Sequence, residues 1–110
     1  MNRNIRTIAI LNQSDSAHSD RKMSRYGSLR YKNDYQLEAY TSIDEALSSM
    51  DEEFLTCINE ILFKNCTILK TRIFIDPCED DGYEAWVEYT NDGDTIYTTY
   101  YSITLVNLVM

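Results

Sequence analysis

The sequence predicts an α+β fold: one amphipathic helix packed on one face of a mostly antiparallel sheet, in the order β-β-β-α-β-β-β. Three observations predict it. A helix-period apolar stripe follows a capping serine at residues 42–64, the stretches on both sides alternate apolar and polar residues, and Asn, Asp and Gly turns separate them.

The helix has the clearest signal. Ser42 with Glu45 three residues on forms a capping box, and Asp44 and Glu45 sit where the helix dipole favours anions. Ile43, Leu47, Met50, Phe54, Cys57, Ile58, Ile61 and Leu62 recur at three- and four-residue spacing and give one stripe for a core. Asp44, Asp51, Glu52, Asn59 and Glu60 form an opposite, solvated face, and Lys64 is placed in the last turn.

Before the helix, Ile5–Asn12 reads as an internal strand because both parities carry apolar residues. Residues 13–28, QSDSAHSDRKMSRYGS, are polar and without period, and predict a mobile loop. Residues 29–40 alternate on both sides of Asn33-Asp34 and predict a tight hairpin.

After the helix come three strands. In 67–75, Leu69, Thr71, Ile73 and Ile75 form one face and Ile68, Lys70, Arg72 and Phe74 the other. In 83–90, Tyr83, Ala85, Val87 and Tyr89 point inward while Glu84, Trp86 and Glu88 point to a wet face. A three-residue loop with Gly93 left-handed sets the parity of the last strand, with Tyr97, Thr99, Tyr101, Ile103 and Leu105 inside and Tyr100 outside. A two-residue turn would reverse every side chain and expose that apolar set.

The 110 residues fit a single domain, 1–110, with the mobile loop at 13–28. No apolar run approaches the ~18 residues of a membrane helix, and the N-terminus does not read as a signal peptide. Cys57, Cys66 and Cys78 are odd in number and show no C-x-x-C spacing, so they read as reduced thiols, and a cytoplasmic protein is expected. Charge is uneven: residues 1–43 carry a net +3 and residues 44–110 a net −11. A segment of the second kind repels nucleic acid and anionic lipid and attracts basic surfaces.

Catalytic and cofactor motifs are weak. His18 is the only histidine; Ser16 and Ser19 stand beside it, but a flexible loop does not hold a nucleophile and base in register. Gly27, Gly82 and Gly93 are isolated turn residues rather than a phosphate loop, and one histidine with scattered cysteines does not suit zinc. Asp76, Glu79, Asp80 and Asp81 crowd one turn but lack the spacing of a twelve-residue calcium loop. Arg21, Lys22, Arg25, Arg30 and Lys32, with Tyr26 and Tyr31 interleaved, form a small basic patch, outweighed by the acidic half. No cofactor, metal, nucleic acid or membrane partner is expected, and the chain reads as non-catalytic.

Residues 76–94, DPCEDDGYEAWVEYTNDGD, hold eight acids, no Lys or Arg, and three Tyr or Trp. Exposed aromatics among carboxylates suit a basic protein partner, because Trp and Tyr anchor interfaces while charge steers encounter. The contacts expected are Trp86, Glu84, Glu88, Asp80 and Asp81, then Tyr100 and Asp76. Alternatively, Trp86 stacks on Arg72 and the acids only confer solubility. Basic active surfaces are typical of proteins that grip phosphate backbones. The sequence therefore predicts a small acidic inhibitor, an immunity protein or antitoxin that occludes a basic nuclease-type toxin. The alternatives are a phage-encoded nucleic-acid mimic that inhibits a host nuclease, and a small carboxylate-dependent enzyme.

Overall fold

The computed structural model describes residues 5–19, 28–76, 82–91, 93 and 95–109. They form β1 (Ile5–Ser19), β2 (Ser28–Tyr40), α1 (Ile43–Phe63), β3 (Thr67–Ile75), β4 (Tyr83–Thr90) and β5 (Thr95–Val109). The five strands make one sheet in the spatial order β2-β1-β5-β4-β3, every neighbouring pair antiparallel. The α+β class is as expected, but two strands precede the helix instead of three.

Two local readings account for that difference. Residues 28–40 do not turn at Asn33-Asp34; they form one strand whose Asp34 and Asn33 pair with Ser14 and Asp15. Residues 13–19 are strand rather than loop, because β1 pairs with β2 on one side and β5 on the other. Two backbone ladders hold this polar stretch, and ladder hydrogen bonds do not depend on side-chain polarity. Ala17, inside the segment read as mobile, is buried. Residues 20–27 of that segment lie outside the described residues.

The helix forms as its local signals dictate. The Ser42 hydroxyl accepts from the Glu45 backbone N–H at 3.4 Å. At the other end Lys64 is the cap residue, just beyond the last turn, which contains no basic side chain. Asn65 follows with φ 57°, and the N–H groups of Asn65 and Cys66 return to the carbonyls of Leu62 and Ile61 at 3.1 Å. This double closure is the Schellman motif, with asparagine where glycine is commonest. Replacing Asn65 with alanine should cost about 1 kcal/mol, because a Cβ without a local hydrogen bond disfavours the left-handed region, whereas Asn65→Gly should not destabilise. Urea unfolding of the two variants checks this; equal losses in both would count against the cap.

α1 leaves β2 at one edge and delivers the chain to β3 at the other, so it crosses the full width of the sheet on one face. Its Ala46, Met50, Phe54 and Ile61 cluster with Ala9, Leu11, Tyr83, Ala85, Val87, Tyr101 and Ile103. Phe54 meets Tyr101 edge to face, with centroids 6.5 Å apart and planes at 89°. The buried Tyr101 and Ile103, with Tyr97 opposite Tyr89, fix the β5 parity as predicted, and Gly93 adopts φ 83°. Leu62 departs from the expected stripe and is 54% exposed. On β3 the pattern slips at Leu69, a register shift that puts Ile68 on the same face as Thr71, Ile73 and Ile75. A 21-residue helix is about 32 Å long and a 15-residue strand about 50 Å, so the sheet outruns the helix that covers it.

Candidate functional site

The sheet face opposite the helix carries Trp86, Glu84, Glu88 and Tyr100. Cross-strand pairing places Trp86 directly beside Tyr100 and Arg72, Glu84 beside Ser102 and Phe74, and Glu88 beside Thr98 and Lys70. Asp76 follows β3, half-buried, and its N–H donates to the Gly82 carbonyl at 2.6 Å. Asp80 and Asp81 lie outside the described residues, as do the turn's Glu79 and Cys78.

These groups are engaged with one another. The Tyr100 hydroxyl donates to the Glu84 carboxylate at 2.5 Å. The Lys70 ammonium sits over the Trp86 ring, 5.4 Å from its centroid, and Arg72 lies over Phe74 at 5.2 Å. The alternative reading, Trp86 stacked on Arg72, is met by a different cation: Arg72 opposes Trp86 in register but leans along its own strand, and Lys70 reaches the indole diagonally. Among strand residues with described side chains, this face holds Lys32, Lys70 and Arg72 against Asp34, Glu84 and Glu88. It is balanced in charge, and Trp86, Glu84, Glu88 and Tyr100 are all only half-exposed.

Among the described residues, the concentrated negative charge is on α1. Asp44, Glu45, Asp51, Glu52, Glu53 and Glu60 are all exposed, and the helix has no Lys or Arg. Beside them stand three exposed apolar side chains, Leu55 at 53%, Leu62 at 54% and Phe63 at 88%. Leu55, Phe63 and Glu53 were not singled out in the sequence. Their signal was present: Leu55 and Leu62, seven residues apart, share a stripe well away from Met50, Phe54 and Ile61.

Where the sheet outruns the helix, a cleft of about 350 Å³ opens between the C-terminal half of α1 and the polar ends of β1 and β5. Asp15, Glu53 and Glu60 line it, with Cys57, Tyr101 and Lys64. Gln13 donates to both Asp15 carboxylate oxygens at 3.2 Å, and the Tyr101 hydroxyl donates to the Glu53 carbonyl at 3.4 Å. His18 lies on the other face of the sheet, since its neighbour Ala17 is buried on the helix side and strand side chains alternate. Among the described residues no group of three or more His, Cys, Asp or Glu has metal-binding geometry.

Burial pushes the Cys57 thiol above its ordinary value of 9.0; hydrogen bonds from Thr99 and Tyr101 oppose this, and the Asp15 and Glu60 carboxylates add to it. Burial likewise raises the Tyr101 phenol above 10.0, reinforced by Cys57. Both groups ionise more easily in the unfolded chain. Their contribution to stability is thus complete below about pH 9 and is lost as pH rises through and beyond 9–10. Thermal unfolding between pH 7.5 and 11 should show this decline, with a shallower slope for Tyr101→Phe. An unchanged slope in that variant would remove Tyr101 as a cause.

No helix among the described residues is long and apolar enough to cross a membrane. No protein-family model, curated protein or solved structure matches this chain.

Proposed function

We propose that this chain is a small acidic inhibitor of the immunity or antitoxin type, which neutralises a basic nuclease-like toxin by covering its active site or substrate groove. The observation that carries this reading is α1: six exposed carboxylates without a compensating cation in the helix, flanked by exposed Leu55, Leu62 and Phe63. Carboxylates oppose the Lys and Arg that would otherwise grip phosphates, and apolar side chains supply the dry centre that affinity requires. The Trp86 face is a second contact surface in this proposal, secondary because its own cations already oppose its acids. A phage-encoded mimic of nucleic acid would use the same surface against a host nuclease; the genes adjacent to this one distinguish the two.

The test is a tagged pull-down from the native host at low and high salt. One stoichiometric basic partner should co-purify, weaken with salt, and be lost on joint reversal of Asp51, Glu52 and Glu60 to lysine. Loss instead on joint replacement of Glu84, Trp86 and Glu88 would move the contact to the sheet face. Recovery of no partner with folded protein would overturn the inhibitor reading. It would also bring forward a carboxylate-dependent enzyme, which the cleft with Asp15, Glu53 and Glu60 favours as a second reading.

A further inference from the structure

The two edges of the sheet differ in regularity: both expose charged and apolar side chains, Tyr35 and Leu37 among them on β2 and Lys70 and Arg72 on β3. β2 is interrupted by two register shifts, and its Lys32, Asp34, Gln36 and Glu38 are exposed. Charges and bulges of this kind protect a sheet edge from pairing with another chain. β3 has one irregularity, at Leu69, and runs in register from Lys70 to Ile75. It exposes Leu69 at 49% and Ile73 and Ile75 at 54% each, all of them large apolar side chains on or beside the helix-covered face. Helix α1 carries Glu53, Cys57 and Glu60 toward the cleft on one flank. Leu55 and Leu62 fall on the opposite flank by helical rotation.

The sequence of β3 restricts what can pair with it. An antiparallel self-pairing has a two-fold axis through one residue, and the residue chosen decides every cross-strand neighbour. An axis at Thr71 places Lys70 opposite Arg72 of the second copy, and one at Arg72 places the two arginines together; both oppose like charges. An axis at Phe74 also opposes a cation and an anion, Arg72 and Asp76, but leaves only residues 73–75 of the strand in register, the shorter ladder. An axis at Ile73 sets Ile73 against itself, Thr71 against Ile75, Arg72 against Phe74 and Lys70 against Asp76. This last register repeats across the interface the Arg72–Phe74 contact already made within β3, at 5.2 Å. It also opposes a cation and an anion at each end, and it stops where the irregularity at Leu69 begins.

We infer that β3 is a homodimer edge: two copies of this chain pair antiparallel about Ile73 to form one ten-stranded sheet. A two-fold normal to the sheet keeps both helices on the same face, so the apolar residues exposed beside β3 meet their counterparts. Ile73 and Ile75 lose their exposure, and the β3 edge, which pairs only with β4 among the described strands, gains a second ladder. The interface does not rest on the proposed inhibitor function, which uses the outer surface of α1, although Leu55 and Leu62 border both surfaces.

Light scattering after size exclusion, from 1 to 200 µM, tests it, with circular dichroism to establish that each variant is folded. The wild-type mass should approach twice 12.9 kDa as concentration rises. Ile73→Lys, at an exposed site, should return the mass to that of the monomer across the range. Lys70→Glu and Asp76→Lys should each weaken association at least tenfold, and the double variant should recover most of it. A wild type that stays monomeric at 200 µM overturns the inference. A dimer that persists in Ile73→Lys places the interface elsewhere and overturns it too. Failure of the charge swap to restore association rules out the Ile73 register.

Discussion

Replacing Phe54 with alanine is expected to lower the unfolding free energy by about 3–5 kcal/mol, the range for removing a buried aromatic ring from a core. Phe54 is 5% exposed and lies where α1 crosses the sheet, edge-on to the ring of Tyr101. Its loss removes apolar burial, leaves a cavity between two rigid layers, and deletes an aromatic pair worth about 0.5–1.5 kcal/mol beyond its area. A domain of this size commands about 5–15 kcal/mol in total, so the variant should be close to unfolding at 37 °C. Phe63 is the internal control. It is the same residue type on the same helix but 88% exposed, so Phe63→Ala should change stability by less than about 0.5 kcal/mol. Urea titrations of both variants check the pair, and comparable losses would mean that the helix does not bury the face described.

If the proposed inhibitor function holds, Phe63→Ala should nevertheless weaken binding to the proposed basic partner by more than about 2 kcal/mol, the level of an interface anchor. In that complex an exposed phenylalanine that contributes nothing to folding would gain its burial. Reversal of Asp51, Glu52 and Glu60 to lysine should act differently, slowing association by about 10-fold or more with a smaller effect on dissociation. Raising salt from 0.1 to 1 M shortens the screening length from about 10 to about 3 Å and should reproduce that slowing in the wild type. Surface-captured kinetics separate the two effects. If Trp86→Ala costs more than about 2 kcal/mol while Phe63→Ala costs under 0.5, the anchor is the indole and the contact surface is the outer sheet face. A salt-independent association rate would exclude steering by the helix carboxylates.

The site was only partly legible because face and neighbour are set by different interactions. That Trp86, Glu84, Glu88 and Tyr100 share a face follows from strand alternation and one turn. That Lys70 covers Trp86, and that Tyr100 holds Glu84, depends on side-chain reach across aligned strands. Charge shows the same division. The acidic character of residues 44–110 was visible, but the sheet face mixes β2 and β3 cations with β4 acids, which alternation within one strand does not reveal.

By itself, the sequence determined the elements whose signals are local. Ser42, the acids after it and the recurring apolar residues specify α1, because capping and a 3.6-residue period operate within a few turns. Residues 83–90, the Gly93 turn and the next strand specify a hairpin and its inward face, because a slip of one residue would expose Tyr101 and Ile103. Only the tertiary structure decided that residues 13–19 are strand, that Asn33-Asp34 runs straight, and that Leu62 stays outside. Those outcomes depend on partners distant in sequence: β2 and β5 supply both ladders of β1, and the angle at which α1 crosses the sheet selects which of its apolar residues are buried.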